Sequence, residues 1–226
     1  MPSKNVVKTY IEKTYYHIYN RGVEKRKIFL DDQDYKTFLS YLKTALLPPQ
    51  SLSRKSFTLQ GVTFKGIPRQ PKNFFGIIDL VAYVLMPNHF HLMIQQNHAR
   101  SINEFMQSLC TRYAMYFNKK YKRIGTLFQN TYKAVMVQEE PYLLHLTRYI
   151  HRNPLNHTRN LTVAYSSYAE YLGKRQTPWI KPQLILSFFD SLKHPFLNST
   201  NTYKSFVEDY EDENNLDEEL ENFTLE

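Results

Sequence analysis

The chain has 226 residues, 42% of them hydrophobic and 22% charged, which excludes wholesale disorder and collagen-like structure. Ten acidic residues and no Lys or Arg fall in residues 206–226, so all 29 basic residues face only 11 acidic ones in residues 1–205, a formal +18 there. Apolar runs such as Leu80–Met86 are too short to cross a bilayer, the amino-terminal residues lack the apolar core of a signal peptide, and the lone Cys110 excludes a disulfide framework or a multi-cysteine zinc site; no membrane association and a cytoplasmic location are expected.

Thr14 to Asn20 (TYYHIYN) is aromatic and β-branched and is closed by Arg21-Gly22, which predicts a first strand. A helix follows, capped by Asp31 or Asp32, with Tyr35, Phe38, Leu39, Leu42, Ala45 and Leu46 at helical spacing, and Pro48-Pro49 stops it. Residues 48–73 form a basic loop insertion without an acidic residue, long enough to hold a small hairpin at FTLQGVTF. Two adjacent strands are read from the apolar stretch Phe74 to Met86 and, after Pro87-Asn88, from HFHLMIQ starting at His89.

Ser101 with Glu104 reads as a capping box, opening a helix whose buried stripe is Ile102, Phe105, Met106, Leu109, Tyr113 and Tyr116. Tyr132 to Val137 is a fourth strand, and Glu139-Glu140-Pro141 opens a further helix that Pro154 ends. This order predicts an α+β, ferredoxin-like βαββαβ fold: an antiparallel sheet with helices on one face and the other face left for a ligand. Residues 12–155 form the main domain, residues 156–205 a helical extension packed on it, and residues 206–226 an acidic, disordered tail.

Two groups of residues carry chemistry. His89 and His91 stand at i and i+2 of a strand, so both imidazoles point to one face, where they can hold a divalent ion. With eight histidines in the chain, such a pair also arises by chance. Tyr149 and Asn153 stand at i and i+4 of a helix, so a phenol and an amide address one point. A tyrosine can be a nucleophile when its target phosphate is polarised by a metal. With 18 tyrosines present, packing is the plain alternative for Tyr149, and helix termination for Asn153.

Four ordered motifs, YHIYNRG at Tyr16–Gly22, AYVLMPNHFHLMIQ at Ala82–Gln95, YFNKKYKRIGTLFQNTYK at Tyr116–Lys133 and LTRYIHRNPL at Leu146–Leu155, resemble the IS200-like transposase superfamily, and within it the REP-associated tyrosine transposases, over roughly residues 12–190. The resemblance implies a transposase: a single-strand DNA endonuclease and strand transferase of the His-hydrophobic-His class, in which Tyr149 is the nucleophile. His89, His91 and Asn153 would be the metal ligands, Mg²⁺ or Mn²⁺ the cofactor, and a 5′-phosphotyrosine link the covalent intermediate. The implied partner is single-stranded DNA with hairpin or palindromic repeat ends, bound by a monomer or a homodimer. The chain departs from the pattern at Asn130-Thr131, where relatives commonly have Gly-Arg.

Basic and polar residues near these motifs are candidate DNA contacts: Arg21, Lys25 and Arg26 after the first strand, Lys119, Lys120, Lys122 and Arg123 after the second long helix, Gln129 and Lys133 beyond it, and Arg148 and Arg152 around the tyrosine. Two other readings of the chain are a non-catalytic nucleic-acid-binding module on the same fold and a replication-initiator or relaxase-type nickase. The first leaves the joint presence of His89, His91, Tyr149 and Asn153 without a reason.

Overall fold

The computed structural model describes residues 10–49, 55–66, 70–190, 197 and 202–209. Strand β1 (Thr14–Arg21) is followed by helix α1 (Asp32–Leu46), a hairpin of β2 (Lys55–Leu59) and β3 (Val62–Gly66), and the strand pair β4 (Ile78–Met86) and β5 (His89–Gln96). Helix α2 (Ser101–Lys120), strand β6 (Lys133–Val137), helix α3 (Glu140–Arg152) and short helices α4 (Tyr168–Tyr171), α5 (Gln183–Asp190) and α6 (Tyr203–Glu208) complete the described chain. The main sheet runs β4-β5-β1-β6, all antiparallel, which is the ferredoxin-like order expected from the sequence. The hairpin predicted inside the basic loop is present as a separate two-stranded sheet.

Alternation along the strands sorts side chains into two cores. Ile18, Tyr83, Leu85, Phe90, Leu92 and Ile94 join Phe38 and Leu42 of α1 and Phe105, Leu109 and Tyr113 of α2 in the first. Val84, Met86, Met93 and Val137 meet Leu143, Leu146, Tyr149 and Ile150 of α3 in the second. Tyr168, Ile185, Phe206 and Val207 of the carboxy-terminal elements close that second core. The second face is therefore not left open along its length, as the sequence reading expected. An amphipathic α3 following directly on β6 needs an apolar surface, and this face supplies it. Access remains at the end of the face where β1 finishes and β5 begins.

Local chemistry explains the helix boundaries, with two corrections. Asp31 caps α1 by accepting from the Asp34 N–H at 3.1 Å, and the Asp34 carboxylate returns a bond to the Asp31 N–H. Helix α2 has no matching box. Arg100 before it lies in the left-handed region at φ 65°, which makes Ser101 the first helical residue, so its hydroxyl donates back to the His98 carbonyl at 2.6 Å while Glu104 pairs with Lys72. Its buried stripe ends on Phe117, with Tyr116 only partly covered; the Tyr116 hydroxyl reaches out to donate to Asp34. Residues 206–209, counted with the acidic tail in the sequence reading, belong to α6 and its end, where Phe206 and Val207 are buried. Residues 210–226 lie outside the described residues.

Phe38 is fully buried, with ring centroids of Tyr113, Phe90 and Phe29 at 5.0, 5.2 and 5.5 Å, so it joins α1, α2 and the sheet. Phe38→Ala is expected to cost about 3–5 kcal/mol, from lost transfer energy and the cavity left behind. A urea denaturation series should record this as a lower midpoint at unchanged slope.

Candidate active site

The register of β1 on β5 assembles the site. Arg21 lies opposite His89, Tyr19 opposite His91 and His17 opposite Met93, while β6 on the other side sets Lys133 against Tyr19. His89 and His91 face α3, as two residues on one side of a strand must. On α3, one turn separates Tyr149 from Asn153, whose N–H donates to the Tyr149 carbonyl. Asn153 opens a 3₁₀ turn that runs to Asn156. Glu139 and Pro141 start the helix as the sequence predicts, although no side chain caps it.

The four residues proposed for the chemistry converge. His89 Nε2 lies 3.2 Å from Asn153 Oδ1, and the Tyr149 ring stands edge-on to His91 with centroids 5.4 Å apart. The two imidazoles are perpendicular, with centroids 5.0 Å apart. Tyr149 is 9% exposed and His91 3%. Burial holds the His89 ring neutral, with its pKa pushed down to about 4, and lowers that of His91 well below the ordinary histidine value.

Donor bookkeeping at His89 is informative. The Asn88 side-chain oxygen, 2.6 Å from His89 Nδ1, can only accept, so the ring proton sits on Nδ1. In a neutral ring Nε2 then carries a lone pair, and it faces a second acceptor, the Asn153 amide oxygen. In that tautomer both atoms, 3.2 Å apart, offer lone pairs, a pairing that a cation beside them would stabilise. Two neutral imidazoles and an amide oxygen form a donor set that would suit a divalent cation. Among the described residues no group of three His, Cys, Asp or Glu side chains could hold a metal ion, so the amide of Asn153 is the third donor within reach of this pair.

Beside the histidines opens a cavity of about 220 Å³ lined by Tyr19, Asn20, Arg21, Lys25, Asn88, Gln129, Asn130, Thr131 and Lys133 as well as His89, Phe90 and His91. Its lining includes Arg, Lys, amide and hydroxyl groups and no carboxylate, which suits a polyanion. The Arg21 guanidinium donates to the Gln129 side chain, and the Asn20 amide donates to the Asn130 carbonyl at 3.1 Å. Asn130 and Thr131, the departure from the family pattern, thus form part of the wall.

Of the candidate DNA contacts, Arg21, Lys25, Gln129 and Lys133 come together at this cavity. The others do not line it. Lys120 lies 2.7 and 2.8 Å from Asp31 and Asp34, tying α2 to the start of α1. Arg26 pairs with Glu24, and Arg123 donates to Asn118 while covering the Phe117 ring. Arg148 is buried over the Phe206 ring at 4.5 Å, and Arg152 donates to the Val207 carbonyl at 2.8 Å. Both arginines turn toward α6. Lys119 and Lys122 are exposed at the far end of α2.

Four residues of the site escaped the sequence reading: His17, Tyr19, Asn88 and Tyr142. His17 Nε2 lies 2.8 Å from His91 Nδ1. Burial raises the pKa values of Tyr19 and Tyr142, and in both the nearby Tyr149 hydroxyl adds to the rise. The period-2 spacing of His17 and Tyr19 was available as a signal, but its use required the register against β5.

Residues 71–153 match the family model described as "Transposase IS200 like". The match is narrower than the span suggested by the motifs and leaves YHIYNRG outside it. Among solved structures, a REP-associated tyrosine transposase bound to a REP hairpin is similar with a TM-score of 0.50 at 11% identity, over 79% of this chain and 97% of that one. A Deinococcus radiodurans R1 protein described as a transposase has a TM-score of 0.36 at 16% identity, over 64% of this chain and 93% of that one, too slight to bear on the fold. No curated protein matches the chain.

Burial of neutral histidines makes the fold sensitive to acid. His17, His89 and His151 protonate near 6.5 when exposed, but only at about 3, about 4 and about 3 when folded, chiefly because burial penalises the charged ring. The unfolded chain binds more protons throughout that window. Stability is therefore full above about pH 6.5 and falls as the pH drops toward about 3. Thermal melts should give a lower midpoint at about pH 5 than at about pH 7, and His151→Gln should flatten part of that slope.

Proposed function

We propose that this chain, whose residues 71–153 match the IS200-like transposase family, is a metal-dependent single-strand DNA transposase with Tyr149 as its nucleophile. The observation that carries the reading is the meeting of His89 Nε2 and Asn153 Oδ1 at 3.2 Å, with the Tyr149 ring edge-on to His91 at 5.4 Å. His89, His91 and Asn153 would hold Mg²⁺ or Mn²⁺. When bound, the ion supplies polarisation of a non-bridging oxygen of the scissile phosphate.

The chain's own residues do the rest. Arg21, Lys25 and Lys133 neutralise phosphates flanking the scissile one, and Gln129 and Asn130 offer amide groups to a base or sugar in the adjoining cavity. Tyr149 Oη forms a bond to phosphorus as the P–O3′ bond breaks. The phenol gives up one proton, and the departing 3′ oxygen takes one up. A 5′-phosphotyrosine link and a free 3′-hydroxyl result. The phosphoester energy stays in the link, so attack by a 3′-hydroxyl reverses the step and joins strands without ATP. The substrate class is single-stranded DNA with hairpin ends, in keeping with the REP hairpin held by the similar solved transposase.

A labelled single-stranded oligonucleotide with a palindromic hairpin and flanking sequence tests the chemistry. It should become covalently attached to the full chain with Mg²⁺ or Mn²⁺, as a band that survives denaturing electrophoresis. Tyr149→Phe should abolish attachment and preserve binding; attachment at the wild-type level in that variant would overturn the assignment. Binding should weaken steeply with salt, and Arg21→Gln should reduce the slope of log K against log salt by about 1. Lys120→Gln should leave that slope unchanged.

A further inference from the structure

His17 lies in the middle of β1 and is fully buried. A polar ring in that position costs desolvation unless both nitrogens are satisfied, and among the described residues His17 Nδ1 has no hydrogen-bond partner. The other nitrogen, Nε2, faces His91 Nδ1 at 2.8 Å with the rings stacked 5.0 Å apart. The two side chains are diagonal neighbours on one face of the sheet, since β1 pairs His17 with Met93 and Tyr19 with His91. A leucine or phenylalanine would fill this position without an orphaned nitrogen. What an apolar residue cannot provide is an acceptor for His91.

His89 offers the comparison. Its Nδ1 proton is fixed by the Asn88 side-chain oxygen at 2.6 Å, which leaves Nε2 as its free donor of electrons. A histidine ligand is commonly oriented in this way, with the second ring nitrogen donating to a neighbouring acceptor. For His91 to present Nε2 as His89 does, its proton must sit on Nδ1 and pass its hydrogen bond to His17 Nε2. His17 then carries its own proton on Nδ1, the atom without a partner.

We infer that His17 is a positioning residue for His91: it accepts the His91 Nδ1 proton, fixes that ring's tautomer and angle, and leaves His91 Nε2 facing the proposed ion. This inference rests on the metal-site reading above, which asks for an unprotonated His91 Nε2 and so sets the direction of the His91–His17 hydrogen bond. The tautomer of His91 belongs to the metal-free protein and can be measured there.

Nitrogen-15 NMR of the metal-free full chain should find His91 protonated at Nδ1 and His17 unprotonated at Nε2. His17→Leu removes the acceptor and the orphaned nitrogen together, so the fold should persist by circular dichroism while His91 shifts toward the Nε2-protonated form. Its Mn²⁺ affinity, read by electron paramagnetic resonance without DNA, should fall about 10- to 100-fold. His17→Gln, which keeps an acceptor oxygen, should lie between that variant and the wild type. A wild-type His91 protonated at Nε2, or a His17→Leu variant with unchanged His91 signals, would overturn the inference. Failure of the metal reading has a different signature: His89→Ala and His91→Ala would then bind Mn²⁺ as the wild type does.

Discussion

The antiparallel register of β1 on β5 is the constraint on which the site depends. Side chains alternate across a strand, so a slip of one residue would send His89 and His91 into the core with α1 and α2 and bring Phe90 and Leu92 to α3. The packing prevents that slip. Phe90, Leu92 and Ile94 are fully buried in the first core, and exchanging them for imidazoles would strand polar nitrogens there. The same register puts Tyr19 between His91 and Lys133 and Arg21 beside His89, gathering side chains of three strands at one end of one face.

Helix α3 supplies the other half of the site and is held from both sides. The sheet takes Leu143, Leu146 and Ile150 into the second core. On the side facing the carboxy-terminal elements, His151 bonds the Tyr203 hydroxyl at 2.6 Å and the Ser167 hydroxyl at 2.7 Å, while Arg148 and Arg152 engage Phe206 and Val207. The extension after Pro154 thus fixes the rotation of α3 about its axis, which decides where Tyr149 and Asn153 point.

The basic excess of the chain divides between two physical tasks. Arg21, Lys25 and Lys133 line a cavity whose described lining holds no carboxylate. Lys120 and Arg175 are matched to carboxylates instead, Lys120 to Asp31 and Asp34 and Arg175 to Glu170 at 2.7 Å. Arg148 sits over an aromatic ring. Composition alone does not separate these tasks, because a cation next to a carboxylate in space need not be next to it in sequence.

Local relations along the chain account for most elements of the fold. The 3.6-residue spacing of apolar positions marked α1 and α2, acidic residues with Pro141 marked the start of α3, aromatic, β-branched and apolar runs marked β1, β4, β5 and β6, and His89, His91, Tyr149 and Asn153 were legible as two pairs, since i and i+2 on a strand or i and i+4 on a helix are local relations. The resemblance implied that the two pairs act together, and the packing of α3 on the sheet is what sets them in contact. His17 and His91 stand 74 residues apart, and His89 and Asn153 stand 64 apart; pairing register and helix packing set both contacts, and no local pattern encodes either. The covering of the second sheet face by α3 and α6, and the turning of Arg148 and Arg152 away from the cavity, have the same origin. Each depends on which apolar surface a distant segment finds to bury, a choice made by the whole core at once.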